Sequence, residues 1–159
     1  QIGIKPKSKV LYLGAATGTT CSHVSDIIGA EGELYALDFA PRTQRELVFL
    51  TESRKNMACL LEDAKQPEEY KEKIPEVDVV FQDIAQRDQP GIFLKNIDHF
   101  LKKGGFGLIA VKAKSIDVRK KPKQVFEEVR AQLEREVTIV DSRSLEPFQK
   151  DHYMFVVKK

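Results

Sequence analysis

Lys9-Val10-Leu11-Tyr12-Leu13-Gly14 is an apolar run that halts on a glycine, and Ala15-Ala16-Thr17-Gly18-Thr19-Thr20 leads from it into a helical pattern. The run reads as a buried strand. Residues 20–29 then set Val24, Ile27 and Ile28 at helical spacing. A strand, a turn of small residues and a helix in that order make the first βα unit of an open α/β sheet.

The rest of the chain repeats the unit. Glu33–Leu37 reads as a second strand, and Pro41 opens a helix to about Arg54 with Leu47 and Leu50 inward. Met57–Leu61 is a third strand, and the polar residues 66–73 are expected to form a short helix. Val77–Phe81 is a fourth strand. Phe93, Ile97, Phe100 and Leu101 share one face of a helix that is expected to stop at Gly104-Gly105. Phe106–Val111 is a fifth strand, and Val125, Phe126, Val129 and Leu133 mark one more helix. Val137–Val140 and Tyr153–Val157 are strands with no helical pattern between them, so they can pair antiparallel. Five βα units and a terminal strand pair predict a doubly wound, mostly parallel seven-stranded sheet with an antiparallel strand near one edge.

Composition narrows the class. Hydrophobic residues make up 42% of 159, enough for a real core, and no apolar run approaches a membrane span. The formal net charge of +2 does not by itself announce a nucleic-acid binder. Two cysteines, Cys21 and Cys59, without a CxxC pair, exclude a disulfide scaffold and a cysteine-rich zinc site; no metal site is expected. A soluble intracellular protein is the default. No linker or repeat divides residues 1–159, so they are expected to form one domain. Because the chain opens on Gln1 and its first strand on Lys9, a preceding segment is expected to be missing.

The candidate chemistry lies at the strand ends. Gly14 and Gly18 make a G-x-x-x-G turn, not the G-x-G-x-x-G of dinucleotide folds. That spacing disfavours a pyrophosphate and suits a ligand carrying a carboxylate and an ammonium. Asp38 closes the second strand, near the ~20 residues at which a ribose-binding carboxylate follows such a turn. It either accepts ribose hydroxyls or caps the helix at Pro41. Phe39 beside it is placed to lie against a base. Asp63 follows the third strand, where it accepts from an adenine amine or forms a turn, and Asp83 follows the fourth. Ligands of open α/β sheets bind at this carboxyl edge. Lys112, Lys114, Arg119, Lys120, Lys121 and Lys123 form a basic run after the fifth strand, either a phosphate track or a solvated loop.

Val10-Leu11-Tyr12-Leu13-Gly14-Ala15-Ala16-Thr17-Gly18-Thr19-Thr20 with Ser22-His23-Val24-Ser25-Asp26 resembles the cofactor motif of the fibrillarin family. Three further stretches resemble it in the same order: Val77–Gln86 with Asp88-Gln89, Val111–Asp117, and Leu145-Glu146-Pro147-Phe148 with Lys150-Asp151-His152. The resemblance implies a Rossmann-like S-adenosylmethionine-dependent methyltransferase fold and RNA ribose 2′-O-methylation within a box C/D ribonucleoprotein. The implied partners are guide RNA, target RNA, a Nop-family scaffold protein and a kink-turn-binding ribosomal protein. S-adenosylmethionine is the implied cofactor. Its binding positions carry over to Gly14, Ala15, Thr19, Thr20, Asp38, Phe39, Asp63, Ala64, Asp83, Ile84, Ala85 and Gln86. The family's catalytic set is Lys-Asp-Lys-His. Asp83, Lys112 and His152 match its last three members, while its first lysine lies upstream of the cofactor turn. The competing readings are a methyltransferase for an RNA base or small molecule, and a non-catalytic ribonucleoprotein module. The sequence has no Gly/Arg-rich tail of the eukaryotic kind, which points to an archaeal, cytoplasmic member rather than a nucleolar one.

Overall fold

β1 (Lys9–Leu13) runs through the middle of a seven-stranded sheet, and Val10, Leu11 and Leu13 have no exposed surface. A strand covered on both faces must be apolar along its whole length, which is why this segment does not alternate. A computed structural model describes residues 3–16 and 18–159; Gln1, Ile2 and Thr17 of the glycine turn lie outside them.

The elements after β1 are α1 (Thr19–Ile28), β2 (Glu33–Leu37), α2 (Pro41–Ser53), β3 (Met57–Leu60), a 3-10 turn (Pro67–Glu69) and β4 (Val77–Gln82). They continue with α3 (Gln89–Phe100), β5 (Leu101–Lys112), α4 (Ala113–Ile116), α5 (Pro122–Glu134), β6 (Thr138–Ser144) and β7 (His152–Lys158). Strand order is β3-β2-β1-β4-β5-β7-β6. β1 to β5 are parallel, and β7 inserts antiparallel between β5 and β6. The chain order reverses beside β1, so the carboxyl ends of β1 and β4 flank a topological switch point.

One core layer packs Phe93, Ile97, Phe100, Val125, Val129 and Leu133 from α3 and α5 on one face of the sheet. Cys21, Val24, Ile28 and Leu47 from α1 and α2 cover the other. Each large apolar side chain so buried contributes roughly 1.5–3 kcal/mol. Ile27 departs from expectation: it is 45% exposed, and Cys21 and Ser25 fill the buried face of α1 instead. The predicted short helix at 66–73 is only the 3-10 turn. No helix among the described residues is long and apolar enough to cross a membrane.

The expected stop of α3 at Gly104-Gly105 is also corrected. The helix begins with Asp88 accepting from the Gly91 N–H at 3.2 Å and ends at Phe100. β5 starts at once, with Leu101 opposite Val77, and residues 102–105 bulge before Phe106 meets Val79. Leu101 is buried in the same core as the helical residues, so apolar spacing alone could not separate helix from strand. The loose end of α3 is closed by Lys159, whose ammonium donates to the carbonyls of Ile97, Asp98 and Leu101 at 3.1, 3.3 and 2.8 Å. A cation there opposes the negative end of the helix dipole. Lys159→Ala is expected to lower stability by about 1 kcal/mol, read as a lower urea midpoint at unchanged slope.

Candidate functional site

The carboxyl ends of β1, β2 and β4 are laced together by backbone bonds. Gly14 and Ala15 N–H both donate to the Leu37 carbonyl, at 2.9 and 3.0 Å, and Asp83 N–H donates to the Leu13 carbonyl at 2.9 Å. Gly14 holds φ +85°. A Cβ there would sit 2.2 Å from the Asp83 carbonyl oxygen, so only glycine lets the two strand ends approach so closely.

A cleft of about 630 Å³ opens beside this junction. Gly14, Asp38, Phe39, Asp63, Ala64, Asp83, Ile84, Ala85 and Gln86 line it, together with residues the sequence reading did not name: Leu37, Pro41, Gln44, Leu61 and Ile92 among them. Those additions come from the end of β2, the first turns of α2 and α3 and the residue after β3, which only the packing brings round. The remaining named positions lie apart from the cleft lining. Ala15 is buried in the core against α1, and Thr19 and Thr20 are exposed on the first turn of α1. α1 has no side-chain cap; its N-cap is Gly18.

Asp38 is not the helix cap: that position is Ala40. Its carboxylate instead accepts from Ala16 N–H at 2.5 Å and Ala40 N–H at 2.8 Å, which ties the glycine turn to the entry of α2. Each oxygen keeps a lone pair for a further donor. Phe39 is 68% exposed over the cleft. Asp63 accepts from Lys65 N–H at 3.0 Å in a local turn. An exposed ring, two acceptor carboxylates and an apolar floor of Leu37, Ile84 and Ile92 suit a nucleoside: a base to stack, ribose hydroxyls to bind, and a volume in the range of small-molecule sites.

Beyond Asp83 the charged side chains of β5 and β7 come into play. The Lys112 ammonium lies 3.0 Å from Asp83 Oδ1, both side chains half-buried. Lys112 is paired in register with His152 across β5 and β7. Side chains alternate across a sheet, and Asp83, Lys112 and His152 fall in step with Phe81, Leu108 and Met154 on the α1 side. His152 also borders a hollow lined by Phe126, Arg130 and Tyr153 beside α5. His152 Nδ1 lies 2.7 Å from the Lys150 carbonyl. A carbonyl can only accept, so Nδ1 carries the proton and Nε2 keeps its lone pair in the neutral ring. The buried Tyr12 phenol is pushed well above its ordinary range, by desolvation first and then by the Asp83 charge, so it stays a neutral hydroxyl. Burial likewise pushes the Cys21 thiol up to about 12, and Cys21 is an inert core residue.

A family model described as Fibrillarin matches residues 1–159. The chain belongs to the fibrillarin family. The fibrillarin-like rRNA/tRNA 2′-O-methyltransferase of Pyrococcus abyssi is 53% identical over 156 residues, covering 98% of this chain and 69% of that protein. A fibrillarin solved in complex with Nop5p superposes with a TM-score of 0.94 at 40% identity, over 96% of this chain and 73% of that one. The Aeropyrum pernix fibrillarin, solved with natively bound S-adenosyl-L-methionine, gives 0.90 at 40% identity, over 99% and 69%.

In this chain the basic run is largely neutralised by internal ion pairs. Lys112 pairs with Asp83, Lys114 with Asp151 at 3.7 Å, Arg119 with Asp117 at 3.2 Å and Lys120 with Glu128 at 2.9 Å. Among the described residues, Lys121 and Lys123 alone of the run have no carboxylate partner. A count of cations alone overstates the field of the run, because carboxylates pair with it: Asp117 from within the run, and Asp83, Asp151 and Glu128 from other elements.

Proposed function

We propose that this chain is an RNA ribose 2′-O-methyltransferase that uses S-adenosylmethionine within a guide-RNA particle. One observation carries the reading: a lysine–aspartate pair at 3.0 Å, with a histidine opposite the lysine in register, stands beside a nucleoside-sized cleft. In the cleft, Asp38 and Phe39 would hold the ribose and base, and Asp63 the adenine amine. When bound, S-adenosylmethionine supplies a methyl already activated by its positive sulfur.

The chain's own residues must align a ribose hydroxyl and remove its proton. Lys112 presents an ammonium to the attacking oxygen and stabilises the negative charge that develops there. Asp83 aims that ammonium. His152 takes the proton on Nε2, because its Nδ1–H is committed to the Lys150 carbonyl while Asp83 Oδ1 is engaged by Lys112. The chain carries no RNA-recognition signature, so guide pairing supplies sequence choice. The Nop5p complex of a relative supports a Nop-family scaffold, and a kink-turn-binding protein completes the particle.

The test is methyl transfer from labelled cofactor to a guided RNA by the assembled particle, with the product mapped by mass. A 2′-O-methyl that requires both cofactor and guide is expected. A methyl on a base would support the base-methylating alternative, and no transfer would support the non-catalytic one. Asp38→Ala is expected to weaken cofactor binding about 10- to 100-fold, since it removes a charged acceptor and releases the glycine turn. Titration calorimetry against the unaltered protein measures it.

A further inference from the structure

Two glutamines sit where apolar side chains would pack more cheaply. Gln82 and Gln89, at the end of β4 and the start of α3, are fully buried. Gln89 Oε1 accepts from the backbone N–H of Lys112 at 3.1 Å, and Gln82 Nε2 donates to the Gln89 carbonyl at 2.7 Å. Both amide orientations are fixed, because an N–H only donates and a carbonyl only accepts. Gln82 Oε1 and Gln89 Nε2 are then left without partners among the described residues. Burying such groups unpaired is unfavourable, and a methionine would fill the space without that penalty. The two amides are therefore better explained by the bonds they do make.

Those bonds lie where the sheet runs out. β4 ends at Gln82, which stands opposite Ile109, so no residue of β4 reaches as far as Lys112 on that side. Gln89 supplies the missing acceptor from the first turn of α3. Gln82 in turn precedes Asp83. One buried chain of contacts thus fixes the backbone under both partners of the ion pair.

We propose that Gln89 is a positioning residue for Lys112, held in place by Gln82. This rests on the reading of Lys112 as the group beside the attacking oxygen. Gln89 touches neither substrate nor cofactor in this scheme; it sets the direction in which the ammonium projects.

The experiment is steady-state methyl transfer by the assembled particle carrying Gln89→Met, with Lys112→Ala run in parallel. Gln89→Met is expected to lower kcat about 10- to 100-fold, the effect of a small misplacement at a reactive group. KM for S-adenosylmethionine should stay unchanged, and the melting temperature should not fall. Gln89→Glu keeps an acceptor oxygen at the same reach and should recover most of the rate. Gln82→Met, one contact further from Lys112, should show the same split with a smaller loss, and it replaces Gln89→Met should that variant fail to assemble. A normal kcat in the methionine variants, or equal losses in Gln89→Glu and Gln89→Met, overturns the positioning role. If Lys112→Ala is inactive in that case, ribose methylation stands without it. Full activity in Lys112→Ala overturns both.

Discussion

Lys112→Ala is expected to stop methyl transfer while cofactor binding survives. The ammonium stands 3.0 Å from Asp83, on a residue paired in register with His152, and Lys112 does not line the cleft that suits the nucleoside. Removing it deletes the cation that, on the proposed mechanism, faces the developing alkoxide. Loss of a single such electrostatic partner lowers turnover about 100- to 1,000-fold, or roughly 3–4 kcal/mol of transition-state stabilisation. Lys112→Arg keeps the charge but spreads it over a planar fork, so it should recover only part of the rate. Stability should change little, because the pair is about a third exposed and such ion pairs add little. Rate and cofactor affinity, measured separately in the assembled particle, check the split. Unaltered turnover would remove Lys112 from the chemistry and favour a base or small-molecule methyltransferase.

Gly14→Val should damage both cofactor binding and the fold. A side chain at φ +85° is strained whatever surrounds it, by about 1–2 kcal/mol. Here its Cβ would also meet the Asp83 carbonyl oxygen at 2.2 Å and Ile84 Cγ2 at 2.6 Å. Asp83 cannot withdraw freely, since its N–H is bonded to the Leu13 carbonyl. Relief of the clash must push apart the ends of β1 and β4, where the cleft and the ion pair both lie. A stability loss of about 2–4 kcal/mol is expected, with cofactor affinity lowered about 100-fold or more. Gly104→Ala is the control. It has a similar φ of +81°, yet nothing lies within 4 Å of its would-be Cβ. It should show the conformational strain alone and bind cofactor normally. Equal behaviour of the two variants in cofactor titrations would refute the close-approach argument.

β1, β2 and β4 were legible because each is a short apolar run followed at once, or after one residue, by glycine or aspartate. β1 and β2 match the expected bounds at both ends, and the antiparallel pairing of the last two strands follows from the lack of a helix between them. Errors fell where one local pattern fits two structures. Leu101 continues the spacing of α3 yet begins β5, and Ile27 keeps helical period yet faces solvent. The carboxylates Asp38, Asp63 and Asp83 were legible for a related reason: each follows a strand, and every parallel strand delivers its end to the same edge.

Local chemistry along the chain sets the order of strands and helices, and with it the edge at which a ligand would collect. That follows because backbone periodicity and turn chemistry act over a few neighbours. Folding places β7 between β5 and β6, pairing His152 with Lys112 in register, and carries Gln89 to the N–H of Lys112. It also sets which carboxylates, Asp151 and Glu128 among them, meet the basic run. Each of these depends on a partner supplied by another element, and a hydrogen bond or ion pair between distant segments exists only once the chain has closed.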